Sequence, residues 1–376
     1  MDHLALLAGD PETFTTEVWG RRTLFHQADP EALAAIFGIE HADALITTHA
    51  LRTPQVRVAQ DGKVVDQSRY TRRATIAGQP MTGLIDARKV LALFDDGATI
   101  IFQGLQRHHE PLRQLVRDLE RQLGHPCQAN AYLTPPGSQG FALHSDTHDV
   151  FTFQTFGTKE WEVHDADGAH PVHMAPGTCM YLPTGTPHMA RTSAGEASLH
   201  VTVGINQVTW ADVVRDAALR AIDADPTLRE HMPAARFADP ERLAAELGER
   251  LAHAADLVRA TDPVAEVDRL QAAFETGRQP VLSGALQDLL DVRGLAADTR
   301  LRRRGGSQAV LRERGDDLEV LLGDRRLTLP GRGATAVRFA LDTTTFTPAH
   351  VPGLDAAGAL VLCRRLVREG LLEVVR

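Results

Sequence analysis

Between Gln128 and Asn206 the chain runs as short β-rich segments cut by glycine and proline turns. Ala129 to Leu133 gives way to Pro135-Pro136-Gly137, Val150 to Thr155 to Gly157, and Lys159 to Val163 to a turn at Asp165 to Gly168. Cys179 to Leu182 leads into Pro183-Thr184-Gly185, and Ser198 to Ile205 closes the set. Many short strands at regular spacing, each bounded by turn residues, predict a β-sandwich or barrel.

The flanks have a different texture. A chain of 376 residues exceeds one compact domain. Residues 1 to about 125 are mixed. Helical spacing is present in Ala32 to Phe37 and in Pro111 to Leu123, where Leu112, Leu115, Val116, Leu119 and Leu123 share one face. Gln55 to Gln60 and Thr99 to Phe102 read as strands. Trp210 to about Leu295 is rich in Ala, Leu, Arg and Glu, with Leu243, Leu247, Leu251, Ala254 and Val258 at helical spacing. Pro226, Pro240 and Pro263 divide it into several helices, too polar for a large core and suited to an interaction or dimer surface. Arg300 to Gly306 reads as a linker or basic loop. Leu318 to Leu322 and Val337 to Ala340 read as strands. An amphipathic helix from about Asp355 to Arg368 and a final strand at Gly370 to Val375 follow, an ending found in winged-helix units.

Composition narrows the functional classes. No apolar run is long enough to cross a bilayer, and Met1-Asp2-His3-Leu4 lacks the basic start of a signal peptide. Cys127, Cys179 and Cys363 are too scattered for a zinc pattern or a disulfide framework, so a reducing cytoplasm is the expected setting. A formal net charge of −9 opposes broad nucleic-acid binding and suits a basic partner. The cations are overwhelmingly arginine. Lysine occurs only at Lys63, Lys89 and Lys159.

Chemistry concentrates in Phe141-Ala142-Leu143-His144-Ser145-Asp146. On a strand, residues two apart point to the same side, so His144 and Asp146 converge on one metal. His188 ends an apolar strand after the turn Pro183 to Pro187 and supplies a third ligand. Two histidines and a carboxylate form the facial triad of non-haem iron oxygenases, with positions left for a bidentate 2-oxo acid and dioxygen. The far carboxylate of that acid needs a cation, and Lys159 is the candidate, since a buried lysine without a partner is costly. His108, His109, His125, His148, His164, His170 and His173 are read as solvated or packing histidines.

Several stretches carry a family resemblance. Asn130 to Gly140 running into His144-Ser145-Asp146, then Phe151-Thr152-Phe153-Gln154, Gly157 to Trp161 and Leu199 to Thr202, resemble the JmjC-type ribosomal oxygenases of the cupin superfamily. Phe14 to Leu24, with Trp19 before Arg21-Arg22, is similar to that family's N-terminal helix. The resemblance implies a mainly β catalytic core, a double-stranded β-helix, in residues 1–206. It implies an α-helical dimerisation domain in 207–299 and an α+β winged-helix-like domain in 300–376. It further implies an Fe(II)- and 2-oxoglutarate-dependent hydroxylase of a side chain in a ribosomal protein, acting as a cytoplasmic homodimer without direct nucleic-acid contact. His144, Asp146 and His188 would hold iron. Lys159, with Thr202, would bind the cosubstrate, and Asn130 and Tyr132 would line the pocket. Ser145 departs from the bulky residue common at that position, which leaves the substrate open. Three alternatives remain at this level. One is a hydroxylase of a small peptide or biosynthetic intermediate. Another is a non-catalytic metal-binding cupin whose winged helix contacts DNA. The third is a cupin bound to zinc, manganese or nickel with another reaction.

Overall fold

In a computed structural model of the chain, the turn-rich stretch becomes two β-sheets with a cavity between them. The structure describes residues 2–138, 142–166 and 168–376, so Gln139, Gly140 and Phe141 of the motif, and Asp167 of the expected turn, lie outside the described residues. The chain divides into two compact units, Met1–Gln207 and Val208–Arg376.

The strands of the first unit, in chain order, are β1 (Leu24–Gln27), β2 (Val56–Gln60), β3 (Lys63–Val64), β4 (Thr71–Ile76), β5 (Gln79–Ile85), β6 (Thr99–Phe102), β7 (Cys127–Thr134), β8 (Asp149–Phe156), β9 (Lys159–Asp165), β10 (Gly168–Met174), β11 (Thr178–Leu182), β12 (His188–Thr192) and β13 (Ser198–Ile205). Eight of them form one sheet in the order β1-β11-β8-β13-β7-β6-β2-β3, three form a second as β10-β9-β12, and β4 and β5 pair as a hairpin. Register decides which residues share a face. Tyr132, His200 and Gln154 lie in one row across β7, β13 and β8, and Asn130, Thr202 and Thr152 in the next. Alternation along each strand then sends the polar set to one side. Ala129, Ala131, Leu133, Val201, Val203, Phe151 and Phe153 go to the other, into the main core. The helix Glu110–Leu123 adds Leu112, Leu115, Val116 and Leu119 to that core and stops at Gly124 in the left-handed conformation.

Six strands of the first unit went unseen in the sequence: β3, the β4–β5 hairpin, β12, β10 and β1. β12 begins at His188 and lacks a run of branched residues; pairing with β9 makes it a strand. β10 carries Pro171, tolerated because β10 is an edge strand. β1 holds the β11 edge of the large sheet. The helix expected over Phe14 to Leu24 ends at Val18 as a π-helical turn, and Leu24 already belongs to β1.

In the second unit the helices Trp210–Ala224 and Pro240–Arg259 bury no residue. Pro240 and Pro263 open helices capped by Asp239 and Asp262. β14 (Leu301–Arg303) pairs with the last strand, which is Leu372–Val374. β15 (Ala309–Arg314), β16 (Asp317–Leu322) and β17 (Arg325–Pro330) form a three-stranded sheet. Two expectations fail here. Val337 to Ala340 is inside the helix Ala334–Asp342, where Ala336, Val337 and Ala340 bury one face. Arg300 to Gly306 is no loose linker. It contains β14, and Arg304, 2% exposed, pairs with buried Asp288 while its Nε donates to the Gly370 carbonyl at 2.9 Å.

Candidate metal centre and adjoining cavity

The His-x-Asp pair does not sit on a strand. His144 makes a single antiparallel bridge to His188, each main-chain N–H donating to the other's carbonyl at 3.1 and 2.8 Å, and Asp146 follows in the segment leading to β8. That bridge brings the first and third expected ligands side by side, with ring centroids 4.5 Å apart. One donor atom from each of His144, Asp146 and His188 lies within 4.8 Å of the others, and His188 Nε2 is 3.8 Å from Asp146 Oδ2. This is the one such cluster of three or more among the described residues.

Both rings are held in the tautomer a metal needs. His144 Nδ1 lies 2.8 Å from the Ala142 carbonyl and His188 Nδ1 3.0 Å from the Thr186 carbonyl. A carbonyl only accepts, so each Nδ1 carries the hydrogen and each Nε2 keeps its lone pair. Burial also lowers the His188 pKa, which favours the neutral ring. The donor set fits a divalent metal of the iron, cobalt or zinc kind.

A cavity of about 320 Å³ runs from these ligands between the sheets. Its large-sheet wall carries Tyr132, Thr152, His200 and Thr202, and its small-sheet wall Lys159, Trp161 and Ala190. Lys159 is 2% exposed and donates to Thr134 Oγ1 at 3.0 Å. Among the described residues no carboxylate pairs with it, and burial lowers its pKa to about 7. His200 stacks on Tyr132 with ring centroids 4.9 Å apart. Burial and the Lys159 charge hold its pKa well below the usual value, while burial raises that of Tyr132 to about 12. Two buried atoms of the wall, His200 Nδ1 and Trp161 Nε1, lack hydrogen-bond partners among the described residues. An unpaired lysine and orphaned N–H or N groups around one space mark a site for a polar, anionic ligand.

The structure therefore gathers His144, Asp146, His188, Lys159, Tyr132 and Thr202 around one cavity, with Thr202 Oγ1 3.4 Å from Thr152 Oγ1. Asn130 stands apart. It does not line the cavity, and its Oδ1 accepts the Gly104 N–H at 3.0 Å. Ser145 between the ligands is exposed. His164, His170 and His173 pair with Glu162, Asp165 and Glu160, and His125 stacks on Trp19. Arg57, Thr99, Trp161 and His200 line the cavity without having been picked out from the sequence. Inward alternation from Tyr132 and Thr202 was the signal that reached His200.

A family profile for the JmjC domain matches residues 105–172, which include His144, Asp146 and Lys159. Ribosomal oxygenase 2 of Mus musculus is 30% identical over 250 residues, 59% of this chain and 52% of that protein. Ribosomal oxygenase 1 of Homo sapiens is 29% identical over 239 residues, 57% of this chain and 36% of that protein. The chain thus carries a match to the JmjC domain and is similar in sequence to the ribosomal oxygenases. It spans about half the length of the curated mouse relative it matches. The crystal structure of the Escherichia coli ribosomal oxygenase YcfD has a TM-score of 0.54 at 17% identity, covering 97% of this chain and 98% of that one. A structure of YcfD in complex with cobalt and 2-oxoglutarate gives 0.53 at 16% identity, with the same coverage. These likenesses show the fold, a JmjC/cupin β-rich core with helical regions.

Proposed function

We propose that this JmjC-domain chain is an Fe(II)- and 2-oxoglutarate-dependent oxygenase that hydroxylates an amino-acid side chain of a basic ribosomal protein. The observation that carries the proposal is the convergence of His144, Asp146 and His188 at one part of a cavity whose wall also holds the unpaired Lys159. The names of the relatives and the cobalt and 2-oxoglutarate in YcfD support it.

His144, Asp146 and His188 would hold the iron. With 2-oxoglutarate and dioxygen, the metal held there would supply the oxidising power for hydroxylating a C–H bond, with succinate and carbon dioxide as the co-products. The protein does the rest by position. His188 faces Val163 and Thr192 faces Lys159 in the β12–β9 register, so four residues of strand, about 13 Å, separate the ligand from the lysine. The ammonium of Lys159 would pair with the distal carboxylate of the cosubstrate, which restores the proton that burial disfavours. Thr202 and Tyr132 would contact the cosubstrate and the substrate. The flat faces of Trp161 and of the Tyr132–His200 stack would exclude water. In this reading 207–299 is a helical dimerisation domain of a cytoplasmic homodimer, and 300–376 a winged-helix-like unit that does not bind nucleic acid directly. No helix of the described residues is long and apolar enough to cross a membrane.

The test is succinate formation from 2-oxoglutarate with Fe(II), ascorbate and air, in the wild type and in His188→Ala, with and without basic ribosomal peptides. Turnover that requires His188 and rises with one peptide supports the proposal. Turnover that no peptide stimulates moves the substrate to a small peptide or biosynthetic intermediate. No turnover with iron returns the chain to metal-binding cupins of other chemistry.

A further inference from the structure

The segments that carry Asp146 and His188 are joined at a second place, away from the ligand atoms. Asp149, three residues after Asp146, opens β8 and is 3% exposed. Its Oδ1 accepts the Thr184 N–H at 2.8 Å and the Thr184 hydroxyl at 2.7 Å, and its Oδ2 accepts the Tyr181 hydroxyl. Thr184 belongs to the turn Pro183 to Pro187 that delivers His188. The next residue, Gly185, takes the left-handed conformation at φ +82° and donates its N–H to the Asp146 carbonyl at 3.0 Å. Thr186 supplies the carbonyl that fixes the His188 ring.

We propose that Asp149 and Thr184 form a clamp that positions Asp146 and His188 for the metal. The inference rests on the metal-site reading above. Three consecutive residues of the turn are tied to the ligand-bearing segments, Thr184 through Asp149, Gly185 through Asp146 and Thr186 through His188. Asp149 is a buried carboxylate with no cation paired to it among the described residues, so three hydrogen bonds offset its burial. Releasing the Thr184 hydroxyl removes the side-chain arm of the clamp and lets the turn shift against Asp146. Tyr181 extends the network, since its hydroxyl also accepts the Gly20 N–H at 2.9 Å and ties the N-terminal segment to the same carboxylate. Asp149 and Thr184 are positioning residues: they touch the ligand-bearing segments and not the metal.

Cobalt(II) binding to the full chain, followed by titration and by its visible absorption spectrum, reads the clamp directly. The variants are Thr184→Val, Thr184→Ser, Asp149→Asn and, as the control for the site, His188→Ala. Outer partners of metal ligands are typically worth 10- to 100-fold in affinity, and a clamp acting through a turn belongs near the low end, about tenfold. Thr184→Val is expected to weaken cobalt by about that factor and to change the spectrum, Asp149→Asn to do the same, and Thr184→Ser to match the wild type. Thermal denaturation of the metal-free variants checks that each is folded. Equal affinity and identical spectra in wild type, Thr184→Val and Asp149→Asn overturn the clamp, as does a Thr184→Ser variant that is as weak as Thr184→Val. Cobalt binding that His188→Ala leaves unchanged removes the metal-site reading and the clamp with it.

Discussion

Lys159 shows how a single residue can be costly to the fold and useful to the site. Its amine is buried and donates one hydrogen bond, to Thr134. Its pKa in the fold, about 7, lies below the 10.5 of the free side chain. Between those values the unfolded chain binds a proton that the folded chain has released, so stability rises with pH across the window from about 7 to 10.5. Below 7 the full cost is present. Lys159→Met removes the amine at nearly constant volume. The metal-free variant is expected to be more stable than the wild type by about 1–3 kcal/mol near pH 7, with the gap narrowing toward pH 10. Urea denaturation at several pH values measures it, and a pH-independent gap would show that Lys159 is not the group responsible. The same variant is expected to lose 2-oxoglutarate binding while keeping cobalt. At this scale much of the site was legible, because His144, Asp146, His188 and Lys159 each stand out by type and context in the chain. His200, two residues from Thr202 on one strand, was within reach of alternation, but Arg57 was not legible. Its place on the wall follows from cross-strand register, Arg57 to Ile101 and Ile101 to Tyr132, which no local pattern encodes.

Among the elements, the β8–β9 connection decides whether Lys159 reaches the cavity. Gly157 sits in that turn at φ +59°, and an added Cβ would overlap the Ala197 carbonyl oxygen. Neither the backbone conformation nor the space accepts a side chain, and the obstructing atom is main chain, which cannot rotate away. Gly157→Ala is expected to destabilise the chain by roughly 3 kcal/mol or more, read as a lower urea midpoint, and to weaken 2-oxoglutarate binding in whatever fraction remains folded. A variant of wild-type stability would show that the turn relaxes freely. Strands bounded by such glycine and proline turns were legible as elements, β7, β8, β9, β11 and β13 among them. The misses have physical causes. β12 is made a strand by its partner β9, and β10 tolerates Pro171 only because it is an edge. Val337 to Ala340 has the composition of a strand, yet its buried positions 336, 337 and 340 follow helical spacing.

At the scale of the whole molecule, the second unit leaves large apolar side chains in water. Trp210 is 84% and Phe237 82% exposed, and the two helices Trp210–Ala224 and Pro240–Arg259 bury no residue. Ordinary monomers expose apolar side chains singly, whereas repeated exposure along helices marks an interaction surface. On Pro240–Arg259, Leu247 and Leu251 are 53% and 61% exposed and four residues apart, which places them on one face. If this face belongs to the proposed dimer contact, charges there should separate the subunits without touching the metal site. Leu247→Glu combined with Leu251→Glu is expected to shift the sedimentation coefficient from dimer to monomer while cobalt affinity stays at the wild-type value. A wild type that sediments as a monomer throughout the micromolar range would remove the dimer proposal. A double variant that remains a dimer would place the contact on another exposed face, such as that bearing Trp210. Loss of cobalt binding together with dissociation would instead mean that the site depends on the assembled dimer.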